Sequence, residues 1–120
     1  MRWIATTLIA FISPLLWAAD VPSIPYDVIN RSEVAGIKLS IDVQVPLVNG
    51  QLPTAEQIGE ISEYLVSREQ PHERSFVTFY LPAMTPGSGA YATAHHNPEM
   101  QVNIQDFMLM QYPQYAELLE

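Results

Sequence analysis

Ile37, Leu39, Ile41, Val43 and Val45 alternate with Lys38, Ser40, Asp42 and Gln44. Strict period-two alternation marks a strand with one buried face and one wet face. Pro46 ends its ladder, and Asn49-Gly50 supplies a turn. From Thr54 to about Glu69 the period changes. Ile58, Ile61 and Leu65 fall on one side of a helix, and Glu56, Glu60 and Glu63 fall on the other. Thr54 and Gln57 have the spacing of a capping box, and Pro71 stands where a helix stops. Gly59 weakens this helix by about 1 kcal/mol relative to alanine, which suggests either tolerance or close packing.

Phe76 to Leu81 is apolar on both faces, as expected of a strand in the middle of a sheet. A third strand, Ala90 to His96, sets Ala90, Ala92 and Ala94 against Tyr91, Thr93 and His95. Its small alanine face is expected under the helix near Gly59. Asn97-Pro98 turns the chain into a fourth strand, in which Met100, Val102 and Ile104 alternate with Gln101, Asn103 and Gln105. Pro113 opens a last short helix through Leu118. The order β-α-β-β-β predicts an α+β domain. A small, mostly antiparallel four-stranded sheet carries one helix on one face.

The N-terminus has a different character. Arg2 and the free amine precede an uncharged apolar run from Trp3 to Leu16, and Ala18-Ala19 follows. This is the layout of a secretory signal peptide over residues 1–19, cleaved after Ala18 or Ala19. A transmembrane anchor would need about 20 apolar residues, and this run is shorter and contains Pro14. Residues 20–36 then read as an extended leader, and 37–120 as the single domain. The expected destination is the bacterial periplasm or the exterior.

Charge narrows the choice of partner. The chain of 120 residues holds 13 Asp+Glu against 5 Lys+Arg, a formal net charge of −8, and no cysteine. Loss of Arg2 on processing makes the balance one unit more negative. Nucleic acid needs clustered Lys and Arg, so it is not an expected partner. The missing cysteine excludes disulfides, Cys-ligated metals and thiol nucleophiles.

His95-His96-Asn97-Pro98-Glu99 holds residue types that ligate metals. Neighbouring strand residues point to opposite faces, however, so His95 and His96 do not share one ion without a bulge. The chain contains no G-x-S-x-G elbow, phosphate-binding glycine loop or buried carboxylate pair. No catalytic residue, metal or cofactor is assigned on this basis. The ridge Glu56, Glu60 and Glu63 instead suits docking to a basic protein of the cell envelope. Met84 and Ser88 in the Met84–Gly89 loop, with His95, His96 and Glu99 in the turn, complete the expected contact residues.

The segment Ser75-Phe-Val-Thr-Phe-Tyr-Leu-Pro-Ala-Met84, then Gly89-Ala-Tyr-Ala-Thr-Ala-His95 and Pro98, resembles a pattern in small exported bacterial proteins of no assigned function. The resemblance implies an exported domain and brings no catalytic residue, cofactor or partner with it. The expected function is an exported, non-enzymatic protein-binding domain of inhibitor or immunity type. The alternatives are a small metal-dependent or hydrolytic enzyme using His95, His96 or His72, and a small-ligand binder with a pocket between helix and sheet.

Overall fold

The computed structural model describes residues 21–97 and 99–119. The expected signal peptide lies outside them. Five strands form one sheet: β1 (Asp27–Val34), β2 (Lys38–Gln44), β3 (Arg74–Tyr80), β4 (Ala92–His96) and β5 (Met100–Ile104). They lie side by side in chain order. The pairs β1/β2, β3/β4 and β4/β5 are antiparallel, whereas β2/β3 is parallel. Parallel neighbours need a long crossover, here residues 45–73, which contain α1 (Ala55–Ser67). The fold is therefore α+β with one main helix on one face, as the sequence pattern implies. The sheet differs in two respects, having a fifth strand and one parallel pairing.

The fifth strand is β1, which corrects the expectation of a leader over 20–36. Every residue of β1 is exposed, so it shows no apolar alternation to read. The Ala35-Gly36-Ile37 turn joins it to β2, with Gly36 at φ +74° where a side chain would be strained. Just before β1, Ile24 is buried in the core, so the chain is anchored there as well.

The core forms between α1 and the sheet. Leu39, Ile41 and Val43 of β2, Val77 and Phe79 of β3, and Ala92 and Ala94 of β4 are all buried. Ile58 and Ile61 of α1 close over them. The capping box forms as the spacing predicts. The Gln57 N–H donates to Thr54 Oγ1 at 3.1 Å, and the Thr54 N–H donates to Gln57 Oε1 at 2.9 Å. Such a cap contributes about 1 kcal/mol.

Gly59 does permit a close approach, but to a different strand from the one expected. A Cβ at Gly59 would lie 3.1 Å from Met100 Cε and 3.6 Å from Val102 Cγ2. The glycine therefore fits over β5 and not over the alanine face of β4. After β5 come a 3-10 turn (Asp106–Gln111), α2 (Pro113–Ala116) and a last 3-10 turn (Glu117–Leu119). Two tyrosines secure the ends of the loops. Tyr91 Oη donates to the Pro53 carbonyl at 2.5 Å, and Tyr115 Oη donates to the Pro82 carbonyl at 2.5 Å. Burial pushes the Tyr91 hydroxyl up to about 12, with the Asp106 charge adding to the shift. No described helix is long and apolar enough to cross a membrane.

Candidate functional site

His95 and His96 stand at the end of β4 and point to opposite faces, as strand alternation requires. His96 turns toward α1, where its Nε2 lies 2.6 Å from Ser62 Oγ. Ser62 belongs to the apolar stripe of the helix and is fully buried. A buried hydroxyl needs a partner, and His96 is the one within reach. Desolvation holds the His96 ring below the usual histidine range, and neighbouring His95 pushes the same way. The Glu63 carboxylate opposes both. A serine bonded to an imidazole suggests nucleophilic catalysis, but Ser62 offers no surface to a substrate. Its role is to attach the helix to the β4–β5 turn.

This attachment joins two of the expected contact groups. The C-terminal half of α1 meets the turn from His95 to Glu99, with Glu63 close enough to His96 to act on its charge, whereas Glu56 lies toward the other end of the sheet, where Pro53 meets Tyr91. Glu56 and Glu63 are exposed, as is Glu99. Glu60 is not a free member of the ridge. It accepts from Ser23 Oγ at 2.7 Å and from the Ser23 N–H at 3.2 Å, and these bonds hold its carboxyl below the ordinary range.

The Met84–Gly89 loop does not join this group. It follows the opposite end of β3, where the Gly87 N–H donates to Tyr80 Oη at 3.1 Å. Met84 must be removed from the contact residues, because it is only 5 % exposed and packs into the core. Its Sδ accepts from the Leu81 N–H at 3.4 Å. Ser88 is exposed at the loop tip. Gly89 closes the loop at φ +108°, and Met108 Cε occupies the place a Cβ would take.

His95 faces the side of the sheet opposite α1. Its ring stacks on Phe76 with centroids 4.3 Å apart, and Lys38 Nζ lies 5.4 Å from the Phe76 centroid. The register places Ser32, Ser40, Phe76, His95 and Gln101 in one row across all five strands. At one end of that row, His95, Asn97, Glu99 and Gln101 line a cavity of about 300 Å³. At the other, Ser32, Glu33, Val34, Lys38 and Ser40 line one of about 150 Å³. Among the described residues, no group of three or more His, Cys, Asp or Glu is placed to hold a metal.

His72, the third histidine, meets the edge strand β1 and not β4. Its side chain is 1 % exposed, and its Nε2 is 2.8 Å from Glu33 Oε2. Glu33 also meets Arg31 at 3.1 Å, and Arg31 makes paired bonds to Glu69 at 2.6 and 3.0 Å. This network ties the segment after α1 to the edge strand. The hydrogen bond from His72 and then that from Arg31 hold the Glu33 carboxyl below the ordinary range. Arg31 does the same for Glu69.

Sequence reasoning missed Ser62, Phe76 and Lys38. Ser62 had a readable signal, since it follows Ile58 by four residues and so lies on the buried stripe. Phe76 and Lys38 had none, because their meeting depends on the parallel register of β2 and β3.

The pH dependence follows from His96. Its folded pKa is depressed, so the unfolded chain binds the proton more readily. The stability it contributes is complete above the ordinary histidine value of 6.5 and is lost as pH falls through the depressed one. Thermal melts from about pH 8 to about pH 5 are expected to show a modest fall in Tm. His96→Gln should flatten it. A further loss begins below 4.5, where Glu33, Glu60 and Glu69 protonate.

Compared with known proteins, the chain significantly matches no family model, no curated sequence and no solved structure.

Proposed function

We propose that this protein is an exported, non-enzymatic binding domain that docks onto a basic protein of the cell envelope, as an inhibitor or an immunity-type protein does. The observation that carries this reading is the composition of α1. Its 13 residues include three glutamates and no lysine or arginine. A helix stabilised for its own sake would carry opposite charges at spacings of three and four. Here the outer face presents Glu56 and Glu63 unopposed, and Glu99 extends the acidic surface at the turn. The nearest cation along the chain, Arg68, is turned onto the Tyr64 ring at 5.0 Å and bonds to its hydroxyl. Arg31 is already held by Glu69 and Glu33.

Such a surface raises the rate of encounter with a cationic partner and disfavours acidic ones. The test is affinity capture from an envelope extract at low and at moderate salt. A basic protein should be recovered at low salt and progressively lost as salt rises. Recovery of nothing at either salt, or of a partner indifferent to salt, would overturn the reading.

A further inference from the structure

Among the described residues, the outer edge of β1 presents a row of unpaired backbone groups. Edge strands of natural proteins are commonly protected by charged side chains, proline, a β-bulge or a covering element, and in β1 the bulge is confined to the Val28–Asn30 end. β1 has no lysine or proline, and all eight of its residues are exposed. Val28, Ile29, Val34 and Ile37, on this strand and its turn, are among the most exposed large aliphatic residues described. We propose that this edge pairs with the same edge of a second copy of the chain, antiparallel about a twofold axis, joining two sheets into one.

Backbone direction and charge together select the register. The Val34 carbonyl accepts from the Ile37 N–H within the hairpin, so it faces inward. By alternation, the backbone groups of Ser32 also turn toward β2, whereas those of Arg31 and Glu33 turn outward. The irregularity between Val28 and Asn30 limits regular pairing to the segment from Asn30 to Val34. A twofold axis at Arg31 would oppose two arginines, and one at Glu33 would oppose two glutamates. An axis at Ser32 places Arg31 opposite Glu33 of the second copy, twice over. In that register the outward backbone groups of Arg31 and Glu33 also meet their counterparts. Opposite charges directly across antiparallel strands stabilise the pairing, and like charges oppose it.

The test is sedimentation equilibrium on the full chain, expressed with its own leader and recovered as the cell leaves it. The mass expected is that of two chains. Arg31→Glu or Glu33→Arg should each give one chain, and the double exchange R31E/E33R should restore two. Ser32→Lys provides a variant that disturbs no side-chain hydrogen bond or ion pair in the fold. It sets two ammonium groups across the axis and should also give one chain, with the circular dichroism spectrum of the wild type. A wild-type mass of one chain overturns the proposal. So does a dimer that survives Ser32→Lys, or a folded double exchange that stays single.

Discussion

Phe79→Ala is expected to remove about 3–5 kcal/mol of stability, the largest loss from any single truncation in the sheet. Phe79 is 0 % exposed and the largest of the fully buried side chains. It sits on the central strand, with Val43 and Ala92 as its register partners on either side. Alanine at its neighbour Ala92 leaves little volume to move into the space, so the cavity persists. For a domain of this size, with total stability on the order of 5–15 kcal/mol, Tm should fall by about 15 °C or more. Phe76→Ala, three residues earlier on the face opposite α1, removes a half-buried ring and should cost about a third as much. Equal losses for the two variants would mean that Phe76 is packed as deeply as Phe79, contrary to the fold described.

Reversal of Glu56 and Glu63 to lysine is expected to cut the association rate with the basic partner ten-fold or more at low salt. Both residues are exposed and make no described hydrogen bond or ion pair, so the fold should lose no more than about 1 kcal/mol, chiefly from Glu56 in the first turn of α1. Glu60 is left in place because its bonds to Ser23 hold the segment that precedes β1. The difference between wild type and variant should shrink as salt rises, since exposed charges are screened within about 10 Å at 0.1 M. An association rate that the reversal leaves unmoved would place docking elsewhere. The row through Phe76 and His95 is then the next surface to test.

Local pattern carried most of what was readable in the chain. β2 was legible because Leu39, Ile41 and Val43 are buried while Ser40, Asp42 and Gln44 are not, which is what alternation encodes. The start of α1 was legible because Thr54 and Gln57 act only three residues apart. β1 was not, since a strand exposed on both sides has no reason to alternate. Nor was the parallel pairing of β2 with β3, where Leu39 meets Ser75 across the whole crossover.

The same division holds at the site. That His95 and His96 face apart follows from strand geometry alone. Which residues they meet depends on tertiary packing, as with Ser62 and Phe76. Met84 looked like a loop residue because prolines and glycines surround it. Its thioether was nevertheless free to turn inward and fill the core, as methionine readily does.

The parallel pairing also governs how quickly the sheet is assembled. The β1–β2 and β4–β5 hairpins close over three-residue turns and should form within about 10 µs. Joining β2 to β3 requires residues 45–73 to be gathered first, with loop-closure entropy spent before any ladder bond rewards it. Folding is therefore limited by α1 settling over β3 to β5. Until it does, the first hairpin waits as a separate unit with both of its long edges open.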